Sequence, residues 1–107
     1  MRSKERVHPS KFYEEKFKRV HIFVSGRVQG VFFRENTKRK AEELRIAGWV
    51  KNLTDGRVEA ILEGEKEKID KLIDWAKTGP TFAKVDKVEI TPEECQDEFE
   101  KFEIKYN

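Results

Sequence analysis

Cysteine is nearly absent: Cys95 is the one thiol in 107 residues, so an intrachain disulfide is excluded. With one cysteine there is also no Cys/His cluster of the kind that holds a metal. Cys95 falls in a polar run between predicted strands and reads as incidental. Long apolar runs are missing too, since none approaches the ~20 residues needed to cross a bilayer. The N-terminal stretch is polar and charged, without a secretory leader pattern. A cytoplasmic protein with no membrane partner is expected. Charge of one sign is scarce as well: Lys and Arg number 23 against 21 Asp and Glu, a net of +2. A general nucleic-acid binder is expected to carry a basic excess, so that class is disfavoured. What the chain has in abundance is balanced charge, 41% of all residues. That density suits ion-pair networks of the kind found in thermostable proteins. The length suits one domain with a modest core.

Residues 1–19 read as an N-terminal extension. Ser10 could cap a short helix there, with Phe12, Tyr13, Lys16 and Phe17 at helical spacing. The domain proper is expected over 20–107. Val20, Ile22 and Val24 alternate with His21, Phe23 and Ser25, the pattern of a half-buried strand. His21 then lies away from the apolar face, at the surface or a sheet edge, with no nucleophile beside it. Phe33, Thr37, Ala41 and Leu44 recur at helical spacing, and Gly48 to Leu53 reads as a strand. Asp55-Gly56 suits a type I′ hairpin turn into a strand carrying Val58, Ala60 and Leu62 on one face. A second helix runs from about Glu65 to Thr78 on the stripe Ile69, Leu72, Ile73 and Ala76, with Trp75 at its edge, and Gly79-Pro80 stops it. Val85 to Ile90 is a strand with a bulge expected at Asp86-Lys87, ended by Thr91-Pro92. An acidic loop follows, and then Phe102, Ile104 and Tyr106 alternate in a last strand. The order strand–helix–strand–strand–helix–strand is a split βαβ pair, a ferredoxin-like α+β sandwich.

The stretch from Gly26 to Arg34, GRVQGVFFR, joins the first strand to the first helix. Two glycines permit positive φ, so the loop can curl its amides toward the N-terminus of the helix that starts near Phe32 or Phe33. Such a concavity suits an anion. Arg34 in the first turn opposes the helix dipole, at roughly 0.3–1 kcal/mol, and a bound phosphate would offset that cost. From spacing alone, an ordinary turn with a solvated Arg explains the stretch equally well. Neither a Walker A sequence nor a three-glycine dinucleotide fingerprint is present.

The stretch resembles the signature of the acylphosphatase family: Gly-Arg-Val-Gln-Gly-Val, an aromatic pair, then Arg. Gly48-Trp49-Val50-Lys51-Asn52, followed by Asp55-Gly56 and Val58-Glu59, resembles that family's second signature. The likeness spans about Val20 to Tyr106. It implies a mostly antiparallel sheet with two helices on one face and an extra C-terminal strand. The family usually has glycine where Arg45 stands, which puts the end of the first helix in question.

Topology brings the two signatures together. In a ferredoxin-like sheet the first strand lies antiparallel to the third, and the hairpin makes the second antiparallel to the third. The first two strands therefore run the same way, and Asn52 ends the second beside the loop, roughly 10 Å away. Asp55 and Glu59 are explained by the turn and the strand surface, and Lys51 and Arg57 by solvent. What remains is anion binding and one amide able to position a water. That suffices for an activated phosphate, whose leaving group needs little protonation. An acyl phosphate meets that condition.

By the resemblance, Arg34 binds the phosphate, the amides of Arg27, Val28, Gln29, Gly30, Val31, Phe32 and Phe33 cradle it, and Asn52 orients the attacking water. The expected activity is metal-independent hydrolysis of the carboxyl-phosphate bond, without cofactor, by a monomer whose partners are a small acyl phosphate and inorganic phosphate as product and competitor. Three rivals are carried forward: a non-catalytic anion-binding or regulatory domain, an RNA-recognition module with stacking aromatics, and a carbamoyl-phosphate-handling module of hydrogenase maturation proteins.

Overall fold

The computed structural model describes residues 16–106. Ser10, Phe12 and Tyr13, read above as a short helix, lie outside the described residues. The elements are β1 (Phe17–Arg27), α1 (Phe33–Glu43), β2 (Ala47–Asn52), β3 (Val58–Glu65), α2 (Lys66–Ala76), β4 (Lys84–Glu93) and β5 (Phe102–Lys105). They build one sheet in the order β4-β1-β3-β2-β5. Every neighbouring pair is antiparallel except β2 and β5, which run parallel. This is the ferredoxin-like α+β arrangement with an added strand at the β2 edge.

The apolar periodicities map onto a single core. Val20, Ile22 and Val24 from β1, Val50 from β2 and Val58, Ala60 and Leu62 from β3 are all buried in it. Against them lie Phe33, Thr37 and Ala41 of α1 and Ile69, Leu72, Ile73 and Ala76 of α2. The Thr37 hydroxyl donates to the Phe33 carbonyl at 2.7 Å, so this polar group is satisfied inside the helix. Trp75 sits at the core edge, its ring 5.4 Å from that of Phe33.

Several boundaries differ from the sequence reading, each for a tertiary reason. Strand β1 opens at Phe17, opposite Glu65, so Phe17 belongs to the sheet and not to a helix. Strand β4 runs through Thr91-Pro92 to Glu93, with Pro92 opposite Val20. It pairs with β1 alone, and an edge strand tolerates the missing N–H of a proline. The bulge lies where the alternation breaks: Ser25 faces Lys87 and Gly26 faces Val85, which leaves Asp86 as the extra residue.

The β2–β3 hairpin is not a type I′ turn. Gly56 has φ 97°, but Asp55 does not share the positive φ that a type I′ turn requires. Gly56 N–H donates to Leu53 O at 3.2 Å and Leu53 N–H to Arg57 O at 2.8 Å, closing the loop around Thr54, Asp55 and Gly56. The Asp55 carboxylate accepts the Arg57 guanidinium at 2.9 Å and the Arg57 backbone N–H at 3.1 Å, a side-chain turn of its own. Those contacts hold the Asp55 carboxyl below its ordinary range, the guanidinium bond being the larger cause.

Helix α1 ends as it would with a glycine. Arg45 adopts φ 59°, Arg45 N–H donates to Glu42 O at 3.2 Å, and Ile46 N–H donates to Ala41 O at 2.8 Å. This is the paired-bond left-handed cap, here built on an arginine.

No helix among the described residues packs on the opposite sheet face. Its far end holds Arg19, which is 7% exposed and donates to Glu93 and Glu98, each at 2.8 Å. Glu63, also buried, accepts the N–H groups of Gln96 at 2.8 Å and Asp97 at 3.1 Å. The acidic loop between β4 and β5 is thereby strapped across this face. His21 lies on the same face but in an interior strand, not at the sheet edge, 2.6 Å from Glu59.

Candidate active site

Strand β1 runs to Arg27, so the loop proper is Val28 to Phe32. Gly26 is the pivot before it. A Cβ there would stand 2.3 Å from the Lys84 carbonyl, so only glycine lets β4 approach where the bulge bends the sheet. Gly30 has open space around it and is needed for its φ of 76° instead. Val28 and Val31 are buried and anchor the loop from beneath.

Phe32 is the N-cap of α1 and is left-handed, φ 66° and ψ 27°, which costs a non-glycine residue about 1–2 kcal/mol. Asn36 holds it there: Asn36 Nδ2 donates to the Phe32 carbonyl at 2.8 Å and the Asn36 N–H at 3.1 Å. No side chain among the described residues caps this helix N-terminus. Glu35, in the first turn, faces the dipole with the favourable sign.

Two cavities meet at Arg34 and Asn52. One, about 150 Å³, is bordered by Val28, Gly30, Phe32, Phe33 and Glu35 as well as by that pair. The other, about 230 Å³, adds Leu53, Thr54, Lys105 and Tyr106. The parallel course of β1 and β2 therefore brings the two sequence signatures to one place. Of the cradle residues read from the sequence, Val28, Gly30, Phe32 and Phe33 border the smaller cavity. Arg27, Gln29 and Val31 do not.

Arg34 has no carboxylate partner among the described residues, and its guanidinium carbon lies 4.9 Å from the centre of the Tyr106 ring. Stacking of that kind holds the plane of the fork without neutralising its charge. Asn52 Oδ1 is buried, and no donor among the described residues reaches it. A buried acceptor left in that condition costs about 1–3 kcal/mol and calls for a reason.

Gln29 contributes in a way the sequence did not reveal. Its Nε2 donates to Leu53 O at 2.8 Å and to Arg57 O at 2.9 Å, tying the loop to the hairpin that follows Asn52. Tyr106 and Glu35 were also missed. The strand alternation marks Tyr106, but nothing local says that β5 lies beside β2. Among the described residues, Glu35 is the one carboxylate on either cavity, and no cluster of three or more His, Cys, Asp or Glu that could hold a metal occurs. No helix among the described residues is long and apolar enough to cross a membrane.

Comparisons with known proteins identify the family. The family described as Acylphosphatase matches residues 20–104. An acylphosphatase of Rubrobacter xylanophilus is 50% identical over 88 residues, covering 82% of this chain and 80% of that protein. The structure of an acylphosphatase from Coxiella burnetii superposes with a TM-score of 0.80 at 41% identity, over 86% of this chain and 96% of that one. The structure of T. kodakarensis HypF also matches, at 37% identity and a TM-score of 0.74, over 84% of this chain but 12% of that much longer one. With the match spanning nearly all the described residues, this chain belongs to the acylphosphatase family.

Proposed function

We propose that this protein hydrolyses acyl phosphates to a carboxylate and inorganic phosphate, without a metal ion. The observation that carries the reading is the pair facing one cavity: a guanidinium without a carboxylate partner and a buried amide oxygen without a donor, both among the described residues. A phosphoryl group between loop amides and the Arg34 fork has its equatorial oxygens gripped and its charge offset. A water donating one hydrogen bond to Asn52 Oδ1 satisfies that oxygen and has its lone pair turned toward phosphorus.

Attack forms the new P–O bond as the bond to the acyl oxygen breaks, and the electron pair leaves on the carboxylate. The proton released by the water goes to a phosphate oxygen, because Asn52 cannot accept one. The lining supports metal independence: an arginine, an asparagine and a single carboxylate offer no ligand set for Mg²⁺ or Zn²⁺. Glu35 is accounted for by the helix dipole.

Turnover of benzoyl phosphate tests the reading. Hydrolysis is expected to be unaffected by a chelator and to be inhibited competitively by inorganic phosphate. Phosphate binding without turnover would leave an anion-binding domain in its place. Activity lost to the chelator and restored by one metal would overturn the mechanism.

A further inference from the structure

A third cavity, about 440 Å³, is bordered by Phe32 but not by Asn52. It runs between the exposed flank of α1, carrying Asn36, Arg39 and Lys40, and the turn after α2, carrying Phe82. Phe32 borders both this groove and the 150 Å³ cavity, so the two are neighbours that share one side chain. Among the described residues, few large apolar side chains are exposed, yet Phe32 at 64% and Phe82 at 68% both flank this groove. Exposed aromatics on either side of a slot beside a candidate active site mark a place for a planar or apolar group.

The charge of the groove is as informative as its shape. Neither Arg39 nor Lys40 has a carboxylate partner among the described residues, and no carboxylate among them borders the groove. Arg39 is nevertheless held: it donates to Asn36 Oδ1, while the Nδ2 of the same amide is bonded to the Phe32 carbonyl. Lys40 stands 5.9 Å from the Trp75 ring centre. Both cations sit about two turns along α1 from the loop, roughly 10 Å from its N-terminus.

The direction of reaction selects this groove over the cavity at Lys105 and Tyr106. Phosphoryl transfer keeps the attacking and leaving oxygens roughly in line. If Asn52 holds the water, the acyl group must leave away from Asn52. The 230 Å³ cavity is bordered by Asn52, whereas the groove beyond Phe32 is not. Resting on the function proposed above, we propose that this groove is the acyl subsite. Phe32 and Phe82 flank the acyl group, and Arg39 and Lys40 select acyl phosphates that carry a second anionic group at the far end.

The test compares benzoyl phosphate with 4-carboxybenzoyl phosphate, which differ by that distal carboxylate. For the unmodified protein kcat/KM is expected to favour the carboxylated substrate about tenfold, mostly through KM. In Arg39→Ala/Lys40→Ala the ratio of the two kcat/KM values is expected to fall to about one, and in Arg39→Glu to drop below one. Because both residues are on the surface, the unfolding temperature and inhibition by inorganic phosphate serve to show that each variant is folded with its loop intact. A ratio near one in the unmodified protein, or one that neither variant changes, overturns the acyl subsite while leaving the hydrolase standing. Failure to turn over either substrate overturns both.

Discussion

At the scale of single residues, Asn52 keeps a buried acceptor without a donor among the described residues, and Arg34 borders the same cavity with its guanidinium over Tyr106. Arg34→Lys preserves the charge but loses the planar fork that stacks on Tyr106 and can grip two oxygens together. It is expected to lower kcat/KM about 10²-fold, nearly as much as Arg34→Ala, with the unfolding temperature unchanged. Steady-state kinetics alongside thermal unfolding checks this; a lysine variant within a few-fold of the parent reduces Arg34 to a general electrostatic contributor. Asn52→Ala separates catalysis from structure more sharply. If the amide positions water, kcat falls roughly 10²-fold or more while phosphate inhibits with similar affinity. Removing an unsatisfied buried oxygen should not destabilise the fold, so a stable variant with lost turnover is the expected outcome. Full activity per folded molecule would assign the water to the substrate or the backbone.

At the scale of elements, the loop and the hairpin act as one unit because Gln29 joins them. Gln29→Ala removes both bonds to Leu53 O and Arg57 O, worth about 1 kcal/mol each, and frees the hairpin relative to the loop. The expectation is a kcat lowered about tenfold, with phosphate inhibition changed far less, because the loop amides remain while Asn52 loses its fixed position. Equal losses in kcat and phosphate affinity would instead indicate collapse of the loop. The other end of α1 offers a contrasting test. Arg45 holds a left-handed conformation, its side chain is exposed, and no ion pair fixes it among the described residues. Arg45→Gly should stabilise the protein by about 1 kcal/mol, raising the unfolding temperature by about 4–8 °C with turnover unchanged.

At the scale of the molecule, the sheet has a helix-covered face that builds the core and a charged face closed at one end by the β4–β5 loop. Among the described residues, those bordering the two cavities at Arg34 run from Val28 onward. Neither sequence signature includes any of residues 1–15, so we expect their removal to keep turnover within about threefold, as an auxiliary extension should. Deletion through Arg19 is different in kind. It takes away the register of Phe17 with Glu65, the Lys18–Asp70 bridge, and the guanidinium 3.9 Å from the buried Glu63. An uncompensated buried carboxylate costs about 3–5 kcal/mol, so thermal unfolding of the two truncations should diverge strongly. Equal stability would mean that the Arg19 cluster contributes nothing net.

Local pattern determined the element order, both helix stripes, the bulge at Asp86 and the place where β1 hands over to α1. Each of these depends on period, on a break in period, or on glycine, all written within a few residues of the element itself. The convergence of Arg34 with Asn52 was also legible, because strand direction follows from hairpin and crossover without any side-chain detail. Only the tertiary structure decided that Gln29 bridges to the hairpin, that Tyr106 lies beside Arg34, that β4 continues through Pro92, and that Phe17 and Arg19 belong to the sheet. The physical reason is common to all four. Each depends on which residues the sheet register sets side by side across long stretches of chain, and no propensity of a residue for its own neighbours carries that information.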